Sequence, residues 1–120
     1  TVMTETSDWR LIIDDVPSPT LIIDNNDFVY LYDPNKGFYI FDYYGTYKNN
    51  LPLLHWENVS VNGKRLMGFS GKQYFSYELQ TLTLKTYTLS SFFKDYISIK
   101  AMNSKIYLLK KDRVEIYSVL

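Results

Sequence analysis

The stretch FVYLYDPNKGFYIFDYYG, Phe28–Gly45, decides the fold. Two bursts of aromatic and β-branched residues flank the polar break Asp33-Pro34-Asn35-Lys36-Gly37. Such residues suit a pleated, packed backbone. Pro presets φ at the break and Gly supplies positive φ. The stretch therefore reads as a hairpin of Phe28–Tyr32 and Phe38–Tyr43. Neither burst alternates apolar with polar, so both faces of both strands are expected to be covered.

The same style recurs outward from this hairpin. Upstream, Trp9–Asp14 and Thr20–Ile23 read as strands. Between them lies Val16-Pro17-Ser18-Pro19, whose prolines cannot donate to a ladder. Asp24-Asn25-Asn26-Asp27 is a turn, because short polar side chains there bond their own backbone. Downstream, strands are expected at Trp56–Val61, Arg65–Phe69, Tyr74–Leu79, Thr81–Leu89, Tyr96–Ala101, Lys105–Lys110 and Arg113–Val119. Asn62-Gly63 is a strong hairpin signal. In TLTLKTYTL, Leu82 and Leu84 are expected on the buried face, with Thr81, Thr83 and Lys85 on the other. Lys48-Asn49-Asn50 reads as a polar connection and Ser91-Phe92-Phe93-Lys94 as a short helical turn. No longer segment has a helical period, so the chain is expected to be all-β.

A repeat organises these strands. FVYLYD at Phe28 lies over RLMGFS at Arg65 and KIYLLK at Lys105, with Tyr32, Phe69 and Leu109 equivalent. Each is followed by a turn and a second strand. There Tyr39, Phe75 and Val114 share one place, and Phe41, Tyr77 and Ile116 another. Units of about 36 to 40 residues with four antiparallel strands are the pattern of a β-propeller blade. The expectation is about three four-stranded propeller-type blades, at 19–54, 55–90 and 94–120, in a single all-β domain 9–120 after a flexible segment 1–8. A β-sandwich is the alternative. The expected core is Leu21, Ile23, Val29, Leu31, Ile40, Phe75, Leu84, Ile97, Ile106, Leu108 and Ile116.

Phe41-Asp42-Tyr43-Tyr44-Gly45-Thr46-Tyr47 resembles the aromatic-Asp-x-x-Gly end of the third strand in NHL-like and related propeller blades. There the Asp and Gly shape the turn to the outer strand. The second unit departs from this pattern, with Glu78-Leu79-Gln80, and the third stops before its outer strand. Pro19–Leu120 as a whole resembles the C-terminal half of small exported propeller-like proteins of Bacteroidota that have no established activity. The resemblance implies a noncatalytic interaction or scaffold module in an exported assembly, periplasmic or at the cell surface, with a cytoplasmic location left open. A lectin-like carbohydrate-binding module is the alternative, since exposed Tyr and Trp can stack on sugar rings.

Composition narrows the remaining classes. The 120 residues include 13 basic and 13 acidic side chains, for a formal net charge of zero. No global basic field exists to attract nucleic acid or anionic lipid. Twelve tyrosines give surfaces with an apolar body and a polar tip. The absence of cysteine removes disulfides, thiol catalysis and thiolate metal sites from this chain. No apolar run approaches the roughly 18 residues of a membrane span, so membrane insertion is not expected. The chain begins at Thr1, so a removed leader or a longer parent chain is expected.

No residue is assigned a catalytic, cofactor or metal role. His55 is the only histidine and sits beside Trp56. It has no second imidazole for a metal site. Asp24–Asp27 fails the calcium-loop pattern, because Phe28 stands where a fifth ligand is needed. Lys36 occupies the cation place in Asp33–Gly37. Asp14 and Asp15 point to opposite faces of a strand, so they are not a glycosidase pair. Asn58-Val59-Ser60 matches a glycosylation acceptor only within an expected strand. Lys105, Lys110, Lys111 and Arg113, with Tyr107 and Tyr117, offer a basic and aromatic cluster. Strand-edge protection accounts for the same residues.

The expected partner follows from arithmetic. Propellers have roughly 4 to 8 blades, and three leave two apolar faces bare. A second copy, as a homodimer, or a missing N-terminal half is expected to cover them. Trp9–Asp14 is expected to supply the outer strand that the third unit lacks.

Overall fold

The structure is a computed structural model that describes residues 17–118 apart from Asn26, Phe92 and Asn103. The expected segment 1–8 and strand Trp9–Asp14 lie outside the described residues. Among the described residues eleven strands form: β1 Leu21–Asn25, β2 Phe28–Asp33, β3 Gly37–Asp42, β4 Tyr47–Leu51, β5 Glu57–Asn62, β6 Arg65–Ser70, β7 Gln73–Glu78, β8 Thr83–Thr88, β9 Ser98–Met102, β10 Lys105–Leu109 and β11 Val114–Ser118. They make three antiparallel sheets, β1-β2-β3-β4, β5-β6-β7-β8 and β9-β10-β11. Each sheet is a meander of chain neighbours. The all-β expectation holds, and the expected strands within the described residues appear, their ends moved by a residue or two.

Two readings of the connections need correction. The outer strand expected after the Asp42–Gly45 turn is Tyr47–Leu51, which takes in the polar Lys48-Asn49-Asn50. Its composition hides it, but Tyr47 packs against Phe41, ring centroids 5.5 Å apart. The Asn50 side-chain amide donates to the Phe38 carbonyl at 3.0 Å. Of the expected helical turn Ser91–Lys94, Phe92 lies outside the described residues; Ser91 is in a turn, and the Phe93 N–H donates to the Ser90 carbonyl at 3.1 Å.

The chain divides into two compact units after Leu54. In the first, register places Tyr30, Tyr32, Phe38 and Ile40 on one face of the sheet, all buried. Tyr32 and Phe38 rings lie 4.6 Å apart. The opposite face carries Ile22, Val29, Leu31, Tyr39 and Phe41. The hairpin turn is held by Asp33, a buried carboxylate. It accepts the N–H of Asn35 at 2.8 Å and of Ser18 at 2.7 Å. These bonds offset the cost of burying its polar atoms and tie the Pro17–Thr20 segment to the turn.

In the second unit, the second and third sheets approach along β5 and β9. The Ser60 hydroxyl of β5 donates to the Ala101 carbonyl of β9 at 2.7 Å. Between the sheets lie Met67, Phe69 and Tyr74 from one side and Ile99, Ala101, Ile106 and Leu108 from the other. Small residues stand where the inner strands meet, and rings stand farther out: Tyr87, Phe93 and Tyr117. Tyr74 and Tyr87 stack at 5.6 Å, and Phe93 meets Tyr117 at 4.8 Å. The other face of the second sheet carries Trp56 stacked on Phe75 at 5.3 Å and lying over Gly68. A Cβ at Gly68 would come within 2.6 Å of the Trp56 ring.

The expected core is corrected in part. Ile40, Ile106 and Leu108 are buried, while Ile23, Val29, Leu31 and Phe75 are half-buried. Leu21, Leu84, Ile97 and Ile116 are exposed, Ile97 and Ile116 at 68% and 57%. Leu21, Leu84 and Ile116 lie on strands at sheet edges, and Ile97 precedes β9. In β8 the alternation is right but the faces are reversed. Tyr87 pairs with Tyr74 and turns inward, leaving Leu82 and Leu84 outside. In the third unit the equivalence slips by one. Asp42, Glu78 and Ser118 pair with Phe28, Arg65 and Lys105. Glu115 therefore corresponds to Tyr39 and Phe75, and Tyr117 to Phe41 and Tyr77. A one-residue slip moves every side chain to the other face, so Val114 and Ile116 point away from the core.

Candidate functional site

Two open clefts occupy the same end of the first and second sheets. In the first sheet the cleft is built around Asp42, the last residue of β3. One carboxylate oxygen accepts the N–H of Thr46 at 2.9 Å and of Tyr44 at 3.0 Å. Gly45 has φ +85° and donates its N–H to the Asp42 carbonyl at 3.0 Å. Asp42 and Gly45 thus shape the turn into β4 as expected. The Thr46 N–H, helped by the Tyr44 N–H and the Lys48 ammonium 3.5 Å away, holds the Asp42 carboxyl below its ordinary range.

Tyr43 reaches from this turn to β1 and donates its hydroxyl to the Asp24 carboxylate. That bond raises the Tyr43 pKa above its ordinary value. Asp27, Phe28, Asp42, Tyr43, Tyr44 and Lys48 line the cleft, and the Tyr44 ring is 89% exposed. The arrangement can stack a flat ligand face on Tyr44 and exchange hydrogen bonds with hydroxyl groups.

The second sheet repeats the position with different chemistry. Asn62, Lys64, Arg65, Glu78 and Gln80 line its cleft. Arg65 and Glu78 stand where the first sheet has Phe28 and Asp42, and Arg65 Nε lies 2.5 Å from Glu78 Oε1. The Arg65–Glu78 ion pair thus stands where the first cleft has the aromatic Phe28 and an Asp42 bonded to its own turn and to Lys48. The two are not copies of one binding site.

A third feature was not legible beforehand. Strand register gathers Met102, Tyr107, Leu109, Val114 and Ile116, together with Ser98, Lys100, Lys105 and Ser118, on the face of the third sheet that points away from the second. Met102, Leu109, Val114 and Ile116 are 48%, 45%, 56% and 57% exposed. The correct register of β11 is the signal that reveals this apolar face.

The remaining candidates are placed as follows. His55 is exposed at φ +62°. Among the described residues no group of three or more His, Asp or Glu side chains could hold a metal ion. Asp24 engages Tyr43, and Asp14 and Asp15 lie outside the described residues. Asn58 is exposed in the bulged part of β5. The basic cluster is split between two ends of the third sheet. Lys105 lies beside Ser118, its ammonium 3.4 Å from the hydroxyl. At the other end Lys110 donates to the Lys94 carbonyl at 3.1 Å, and Arg113 Nε meets Glu115 at 2.8 Å. Tyr117 donates to Glu115 at 2.8 Å. That bond, helped by Arg113, lowers the Glu115 pKa, and the same bond raises the Tyr117 pKa.

No family model matches the chain, and no curated protein matches it. Among solved structures it is similar to a chain of the S. cerevisiae complex of a Dbp5 variant with Nup159, a Gle1 variant, IP6 and ADP. The TM-score is 0.56 at 15% identity, and the match covers 87% of this chain and 28% of that one. This likeness concerns the fold alone, and this chain spans little more than a quarter of that chain's length.

Proposed function

We propose that the three sheets are propeller-type blades and that the chain is a noncatalytic interaction or scaffold module. The observation that carries the reading is the bare apolar face of the third sheet. Contiguous exposed apolar surface with a polar surround marks an interaction site. The blade reading is supported by three consecutive meanders and by the wedge between the second and third sheets. Their inner strands meet at Ser60 and Ala101, and bulky rings fill the space farther out. In a sandwich, two sheets keep a separation of about 10 Å across their faces. The resemblance to exported propeller-like proteins supports a place in an exported assembly.

Light scattering with an apolar fluorescent dye tests this reading on the 120-residue chain. Self-association or dye capture is expected. A dispersed monomer that takes up no dye overturns it in favour of a self-contained sandwich.

The Tyr43–Tyr44 cleft favours carbohydrate binding as a second reading. On a glycan array, that reading requires specific binding that Tyr44→Ala removes. An array with no specific signal eliminates it.

A further inference from the structure

The cleft of the first sheet lies between two turns at one end of the ladder, the turn from β1 to β2 and the turn from β3 to β4. The Tyr43 hydroxyl, on the second turn, donates to the Asp24 carboxylate of β1, so the two turns are clipped together. The next residue, Tyr44, is fixed by its backbone, whose N–H donates to Asp42 at 3.0 Å. Its ring is 89% exposed and lines the cleft with Phe28 and Asp27. A large aromatic face is therefore held open to solvent on a backbone that its own turn fixes. Such a face offers an apolar surface for a flat ligand to stack on.

Charge tells which ligand suits this face. Lys48 lies 3.5 Å from Asp42 and offsets it. Among the described residues, Asp24 and Asp27 have no cation within ion-pairing distance. Asp24 is engaged by the Tyr43 hydroxyl, whereas the exposed Asp27 carboxylate has no partner among the described residues. The whole chain carries no net charge, so this negative excess is local. The cleft of the second sheet has the opposite balance, Lys64 and Arg65 against Glu78. An anionic sugar is repelled from the first cleft, and a neutral one gains stacking alone. A sugar with a protonated amine gains a charge-assisted hydrogen bond to Asp27 and the attraction of the Tyr44 π face for a cation.

We infer that the cleft between the two turns of the first sheet binds an amino sugar whose amine is free, with the sugar ring on Tyr44 and the ammonium at Asp27. The inference rests on the carbohydrate reading of this cleft and narrows it to cationic sugars, such as a hexosamine chain without its N-acetyl groups. Uronic and sulfated sugars are excluded. Asp42 and Tyr43 are positioning residues, the first shaping the turn and the second joining it to β1.

Titration calorimetry of the 120-residue chain tests this with two ligands alike in length and linkage, the hexamer of glucosamine and the hexamer of N-acetylglucosamine. The glucosamine hexamer is expected to bind about fivefold more tightly, the effect of an exposed ion pair. Added salt narrows that gap. Asp27→Asn keeps a side chain that tolerates the φ of +65° at this position. It is expected to abolish the preference while leaving weak binding of both hexamers. Tyr44→Ala removes binding of both. Glu57→Gln, at an exposed carboxylate of the second sheet, changes neither. Equal binding of the two hexamers, or a preference that survives Asp27→Asn, overturns the inference and leaves the carbohydrate reading standing. Pentalysine that displaces the glucosamine hexamer at equal concentration overturns it in favour of a basic peptide. If neither hexamer binds, the inference falls. The carbohydrate reading falls with it only when the glycan array is also without a specific signal.

Discussion

Gly37 and Gly45 both sit at positive φ, +96° and +85°, in turns that border β3. Their surroundings differ. A Cβ at Gly37 would lie 2.0 Å from the Leu51 carbonyl oxygen, whereas one at Gly45 meets nothing within 4 Å. Gly45→Ala is therefore expected to cost about 1–2 kcal/mol, the backbone strain alone. Gly37→Ala adds a collision with main chain and is expected to cost about 3 kcal/mol or more. Urea titration of the two variants checks the order, and equal costs would contradict the turn geometry. Asp42 supplies a second test at this scale. Its folded pKa lies below the unfolded value, chiefly through the Thr46 N–H. Its contribution is present above the unfolded carboxylate pKa and is lost as pH falls from there through the folded value. Asp42→Asn is expected to flatten that acid part of a melting-temperature profile while leaving the slope near neutrality unchanged. Much of this turn was legible in advance, because Asp42, Gly45 and their bonds lie within one short stretch. The bond from Tyr43 to Asp24 was not, since it joins residues 19 positions apart.

At the scale of strands, the sequence was most informative where both faces are covered and least informative at sheet edges. β2, β3 and β6 carry apolar residues nearly throughout, and no competing pattern exists. The outer strand of the first sheet was expected but given no bounds, because an edge strand needs few apolar residues and Lys48, Asn49 and Asn50 look like a loop. In β8 the alternation shows two faces without saying which is inside, and the aromatic Tyr87 outweighs two leucines. The slip at β11 has a different cause. The second and third hairpins have equal spacing, Arg65 pairing with Glu78 and Lys105 with Ser118, so counting alone would have kept the register. Matching by residue type set the apolar Val114 and Ile116 over Phe75 and Tyr77 instead, and that hid the outward face. Ile40→Ala, in buried β3, is expected to cost about 2–5 kcal/mol. Ile116→Ala, on the exposed side of β11, is expected to change stability by no more than about 0.5 kcal/mol. Denaturant midpoints at constant m-value measure both, and a large cost at Ile116 would restore the original register.

At the scale of the molecule, the two units have unequal resources. His55–Leu120 contains two sheets and an apolar cluster between them, which meets the need for layers packed around a core. Expressed alone, it is expected to unfold cooperatively, with a lower m-value than the whole chain because less surface is exposed. A gradual, probe-dependent melt would contradict this.

Contiguity of the sheets bears on how the protein is made. Among the described residues every ladder joins strands that adjoin in sequence, so each can form once its second strand has left the ribosome. Short separations between partners lower the entropy of loop closure and favour rapid folding for an all-β chain. The sheets are completed in the order of synthesis. The third, whose outer side exposes Met102, Leu109, Val114 and Ile116, is finished last.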